Sequence, residues 1–127
     1  MTRVLVVDDE VDIRQVLAYV LVDEGYEVDE ASNGEAALEL IERRHPDVII
    51  LDMKMPGIDG WEFARRYRDL YGNRAPIIVL TAAQDAARRG TDISAESYVP
   101  KPFDLDVLVE RVSALVRSPG TGKPTGT

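Results

Sequence analysis

The chain has 127 residues, a formal net charge of −8, a single histidine and no cysteine. That length fits one domain, and the cysteine count excludes a disulfide framework or a thiolate metal site. The acidity argues against a direct nucleic-acid surface, which needs a basic face, and no run approaches the ~18 apolar residues of a membrane span.

Val4-Leu5-Val6-Val7 is the first apolar run and reads as a strand buried on both faces. It ends in Asp8-Asp9-Glu10. Ile13, Val16, Leu17, Val20 and Leu21 then repeat at helical spacing, and Gly25 stops that helix. Apolar and charged residues alternate from Tyr26 to Ala31, so the second strand has one wet face. Ser32 and Glu35 offer a capping box for a second helix whose buried stripe is Ala37, Leu40 and Ile41. His45-Pro46 closes that stretch, and a lone histidine in a loop is expected to face solvent.

The central strand is Val48-Ile49-Ile50-Leu51, and it stops at a carboxylate, Asp52. The breakers Pro56-Gly57 and Asp59-Gly60 follow. Asp59, with Glu62 three residues on, caps a third helix with Ala64, Tyr67, Leu70 and Tyr71 on its inner face; Trp61 is expected to pack beside it. Ile77-Ile78-Val79-Leu80 is the next continuous run and ends at Thr81. A helix from about Gln84 to Arg89 is weakly written, since its apolar face is mostly alanine and Gly90-Thr91-Asp92 breaks it. Ser97-Tyr98-Val99 is a short strand ended by Pro100-Lys101-Pro102. Asp104 caps a last helix carrying Leu105, Leu108, Val112, Leu115 and Val116. Residues 118–127 are too poor in apolar side chains to build a core. The expected organisation is a domain over residues 1–117 and a flexible tail or linker over 118–127.

The alternation βαβαβαβαβα predicts an α/β fold, a doubly wound parallel five-stranded sheet with helices on both faces. The continuously apolar runs belong inside. The mixed second run and the short fifth, with Pro100, belong at the edges. Right-handed crossovers then favour the flavodoxin-like order 2-1-3-4-5, whose switch point lies between strands one and three. That crevice would receive Asp8 and Asp9 from one side and Asp52 from the other. Thr81 and Lys101 would arrive at the same sheet edge from strands four and five.

Three carboxylates at one edge repel: at about 4 Å, two unit charges interact by roughly 4 kcal/mol at an effective dielectric of 20. Lys101 offsets part of this, and a divalent ion is expected to offset the remainder. The candidate ligands are all oxygens, which fits Mg²⁺, held by Asp8, Asp9, Asp52 and the backbone carbonyl of Lys54. Such a site suits phosphoryl transfer. Asp52 would be the nucleophile and form an aspartyl phosphate, with Lys101 and Thr81 binding the phosphoryl oxygens.

Asp8-Asp9-Glu10, Asp52-Met53-Lys54-Met55-Pro56-Gly57, Leu80-Thr81-Ala82 and Tyr98-Val99-Pro100-Lys101-Pro102-Phe103 together resemble the receiver domain of two-component response regulators, the CheY-like family. The resemblance runs from about residue 2 to residue 117. It implies that Asp52 accepts a phosphoryl group from the phosphohistidine of a histidine kinase or phosphotransfer protein. It also implies that Thr81 and Tyr98 form the switch pair, that the Lys101–Pro102 bond is cis, that the domain is cytoplasmic, and that an effector domain or output partner reads the switch. Glu96-Ser97 stands where many DNA-binding regulators have two aspartates, and Arg111 matches only half of the pairing. A dimer through the fourth helix, fifth strand and last helix therefore stays open.

Three other readings compete. A small Mg²⁺-dependent phosphatase would use Asp52, but Asp52-Met53-Lys54 lacks the second acid of an Asp-x-Asp nucleophile motif. A phosphorylation-independent binding module on the same fold usually lacks an acid or the lysine, and here all are present. A flavodoxin-like cofactor site would set acids against the cofactor phosphate.

Overall fold

The computed structural model describes residues 2–53, 55, 57–82, 97–101 and 104–117. Apolar runs and helical stripes alternate along them as β1 (Arg3–Val7), α1 (Val11–Asp23), β2 (Glu27–Ala31), α2 (Gly34–Arg43), β3 (Val48–Asp52), α3 (Gly60–Tyr71), β4 (Ile77–Ala82), β5 (Ser97–Lys101) and α4 (Leu105–Arg117). The strands form one five-stranded sheet in the order β2-β1-β3-β4-β5. Every pairing is parallel. The continuously apolar strands take the middle and the mixed and proline-bearing strands take the edges, as their sequences predict.

Each central strand feeds two cores because successive side chains leave opposite faces of the sheet. On one face Leu5, Val7, Ile49, Leu51, Ile77 and Val79 pack against Ala37 and Ile41 of α2 and Phe63, Ala64 and Tyr67 of α3. On the other, Val4, Val6, Val48, Ile50, Ile78 and Leu80 pack against Leu17 and Leu21 of α1 and Leu108 and Val112 of α4. Burying each such aliphatic side chain contributes about 1.5–3 kcal/mol. Among the described residues no helix is long and apolar enough to cross a membrane.

Several local expectations need correction. Asn33, not Ser32, caps α2: its side chain accepts the Ala36 N–H at 2.8 Å. Glu35 therefore falls inside the first turn and lies near Gly57 instead of closing a capping box. Asp59 does cap α3, accepting the Glu62 N–H at 2.9 Å. The Glu62 carboxylate, however, pairs with Arg65 and Arg66. Val16 and Leu70 were expected inside but are 48% and 65% exposed. The buried residues of α1 are Leu17 and Leu21, one turn apart, and Val16 lies about 100° round the helix from Leu17. In α3 the inner face is Phe63, Ala64 and Tyr67, which turns Leu70 outward. At the start of α4, Asp104 accepts the Asp106 N–H at 2.8 Å, as expected of a cap. The helix predicted near residues 84–89 and the tail at 118–127 lie outside the described residues.

Candidate functional site

The site begins where β1 and β3 end side by side, with Val7 paired to Leu51. The next residue on each strand is an aspartate, so topology alone brings Asp8 beside Asp52. Asp8 is completely buried and Asp52 is 4% exposed, while Asp9, one residue further into the turn, faces solvent. Carboxylate oxygens of Asp8, Asp9 and Asp52 all lie within 4.8 Å of one another.

The backbone around this cluster is fixed by bonds that leave the sheet. The Asp8 N–H donates to the Ala31 carbonyl at 3.1 Å, and Asp8 Oδ1 accepts the Glu10 N–H at 2.9 Å. Beyond Asp52, the Met53 N–H reaches the Leu80 carbonyl at 3.3 Å, and the Gly60 N–H reaches the Met53 carbonyl at 3.1 Å. The second contact presses the N-terminus of α3 onto the strand end. A Cβ at Gly60 would stand 2.7 Å from Met53 Cα and 2.9 Å from the Asp52 carbonyl oxygen, so only glycine fits that approach.

β4 and β5 bring two more predicted site residues to the same edge. Thr81 is paired with Pro100 and Ala82 with Lys101, at the carboxyl ends of their strands. Tyr98 lies further down β5, opposite Val79. These are backbone placements; the side chains of Thr81, Tyr98 and Lys101 lie outside the described set, as do Lys54 and Pro102 and with them the expected carbonyl ligand and cis bond. Three carboxylates from two strand ends make an oxygen-only donor set, partly buried and open to water at Asp9, of the kind a hard divalent cation takes.

The sequence reading missed Arg14. Its Nη1 donates to the Asp8 carbonyl at 2.8 Å and its Nε to Glu30 at 3.2 Å. An arginine early in a helix carries no sign in the sequence that it folds back onto the preceding turn. His45, expected in solvent, is half-buried instead, with Nε2 2.7 Å from the Tyr67 hydroxyl, at the opposite end of the sheet from the acids.

An acid pair after the first strand and a single acid after the third, on this sheet order, match known proteins. Residues 4–113 fit the response regulator receiver domain family. The chain belongs to that family. This receiver domain is 43% identical over 117 residues to the response regulator MprA of Mycobacterium leprae, covering 91% of the chain and 51% of that protein. With MprA of Mycobacterium sp. strain KMS it shares 44% identity over 124 residues, covering 94% of the chain and 54% of that protein. The receiver domain thus spans about half the length of these curated relatives.

Among solved structures, it resembles the response regulator TrrA of Thermotoga maritima, determined in complex with Mg²⁺-BeF. The TM-score is 0.82 at 44% identity, over 91% of this chain and 99% of that one. The Vibrio cholerae chemotaxis protein CheY4 has the same TM-score of 0.82 at 34% identity, over 90% and 98% of the two chains.

Proposed function

We propose that this receiver domain is a phosphorylation-controlled signalling module in which Asp52 is the phosphoacceptor and Asp8, Asp9, Asp52 and the Lys54 carbonyl hold Mg²⁺. The observation that carries the reading is the triad of carboxylates within 4.8 Å at the ends of β1 and β3. An Asp52 oxygen attacks phosphorus, a P–O bond forms, and the P–N bond of a donor phosphohistidine breaks, its electron pair leaving with the imidazole. When bound, Mg²⁺ neutralises charge on the transferring oxygens. Asp8 and Asp9 hold their carboxylates on a turn tied to β2 and α1. Lys101 and Thr81, arriving on the neighbouring strand ends, bind phosphoryl oxygens. Water later cleaves the acyl phosphate, with the domain acting as phosphoacceptor and assisting its own gain and loss of the group.

Signalling follows if phosphorylation biases a two-state equilibrium. The Thr81 hydroxyl moves toward the phosphoryl group, and the Tyr98 ring fills the space it leaves. The donor is a histidine kinase or phosphotransfer protein in the cytoplasm, and an output domain or partner reads the result. Residues 1–117 form the receiver unit, and 118–127 serve as tail or linker.

Incubation with acetyl phosphate and Mg²⁺, followed by intact mass and peptide mapping, tests the reading. One phosphoryl group on Asp52 is expected, and none without Mg²⁺. The same adduct on Asp52→Ala would overturn the assignment.

A further inference from the structure

At least three hydrogen bonds hold the turn carrying Asp8 and Asp9. Two are noted above: the Asp8 N–H on Ala31 at 3.1 Å and Asp8 Oδ1 on the Glu10 N–H at 2.9 Å. The third is a side chain. Arg14 Nη1, from the start of α1, donates to the Asp8 carbonyl at 2.8 Å, while its Nε donates to Glu30 Oε1 near the end of β2 at 3.2 Å. The Arg14 side chain is 16% exposed and that of Glu30 is 40% exposed. One guanidinium therefore joins α1, the turn after β1 and the end of β2.

An exposed ion pair between Arg14 and Glu30 would by itself contribute little. The bond to the main-chain carbonyl has a different consequence. The Asp8 carbonyl belongs to the planar peptide that leads into Asp9, so holding its oxygen sets the orientation of that peptide. A planar guanidinium reaches two acceptors in fixed directions, which a flexible ammonium does not do. The Asp9 carboxylate is exposed, and among the described residues no hydrogen bond or ion pair directs it. Its backbone sets the Cα–Cβ direction and the rotamers from which the carboxylate reaches toward Asp8 and Asp52.

We propose that Arg14 is a positioning residue for the metal-binding carboxylates: anchored on Glu30, it holds the Asp8–Asp9 peptide so that Asp9 faces Asp52. This rests on the reading that these acids bind Mg²⁺. Charge alone predicts the opposite effect, because a cation beside the acids competes with a bound metal and its removal would tighten binding. Outer partners that orient metal ligands are typically worth about 10–100-fold in affinity.

The test is calorimetric titration of Mg²⁺ into the metal-free 127-residue chain, with a thermal melt of each variant. Arg14→Met keeps the aliphatic stem without donors and is expected to weaken Mg²⁺ binding about tenfold. Arg14→Lys keeps the charge and one donor and is expected to recover part of that loss. Unchanged or tighter binding by a folded Arg14→Met overturns the positioning role. No binding by the wild type overturns the metal reading itself, a distinguishable result. If Arg14→Met does not fold, Glu30→Ala loosens the same guanidinium from an exposed side chain. Faster amide exchange at Glu10 in the metal-free Glu30→Ala protein is then expected, and unchanged exchange overturns the proposal.

Discussion

The Tyr67 hydroxyl lies between two groups: it accepts the buried Ala75 N–H at 3.0 Å and stands 2.7 Å from His45 Nε2. A neutral imidazole protonated on Nδ1 accepts the hydroxyl proton and satisfies all three groups. A charged imidazole would donate to an oxygen that already accepts from Ala75, leaving the hydroxyl proton without that acceptor. Burial lowers the His45 pKa from its ordinary 6.5, Arg74 lowers it further, and Asp47 opposes them. Burial likewise raises that of Tyr67. A histidine depressed in the folded state contributes stability that is complete above 6.5 and is lost as pH falls through the lowered folded value. Urea midpoints at about pH 7.5 and about pH 5.5 should therefore drop more in the wild type than in His45→Gln. Tyr67→Phe leaves the buried Ala75 N–H without its acceptor and should cost about 1–3 kcal/mol at neutral pH. At the other end of the sheet the sign reverses. Asp9→Asn removes a repelling charge, so without metal it should be neutral to stabilising, by about 0–1 kcal/mol. A loss of several kcal/mol in a denaturant titration would make Asp9 structural.

Two helices, α2 and α3, begin on glycines, and the atoms that an added Cβ would meet differ in kind. At Gly60 an added Cβ would meet Met53 Cα at 2.7 Å and the Asp52 carbonyl oxygen at 2.9 Å, both main-chain atoms of the phosphoacceptor segment. At Gly34 it would meet side-chain atoms first, Cγ1 and Cδ1 of the partly buried Ile58. Gly60→Ala should therefore destabilise by about 1–3 kcal/mol. It should also slow phosphorylation by acetyl phosphate, because relief requires α3 or the end of β3 to move. Gly34→Ala should cost less, and its cost should shrink in an Ile58→Ala background, which removes both side-chain atoms it would meet; equal losses at both positions, unchanged in that background, would contradict the distinction. Loss of the α3 cap separates stability from site geometry. Asp59→Ala gives up the bond to the Glu62 N–H and should cost about 1 kcal/mol while leaving the phosphorylation rate nearly unchanged.

At the scale of the whole molecule, the features that sequence made legible are those set by strand patterning. The unbroken runs ending at Val7, Leu51 and Leu80 require a two-sided sheet, and the mixed β2 and proline-bearing β5 suit its edges. Once the order is fixed, Asp8 and Asp52 must meet, since each follows a paired strand residue. What stayed hidden depends on the helices' rotation and on contacts distant in sequence. Val16 and Leu70 fit an apolar stripe but lie on its outer margin. Ser32 and Asn33 are both good caps by residue type, and only the folded backbone puts the Asn33 side chain against the Ala36 N–H. Arg14 and His45 find partners on other elements, which no local pattern announces. The same topology yields a test on the intact chain. The acid ligands come from the ends of two different strands and converge only in the folded state, so a cation bound there stabilises by mass action. At ten times its Kd, Mg²⁺ should contribute about 1.4 kcal/mol and raise the melting midpoint by about 5 °C. A chelator should reverse the rise, and Asp52→Asn should abolish most of it. The chain carries a formal net charge of −8, so a nonspecific effect of any divalent cation is the competing explanation. That explanation predicts an equal rise in Asp52→Asn, and such a result would move Mg²⁺ from the rim of β1 and β3 to the acidic surface at large.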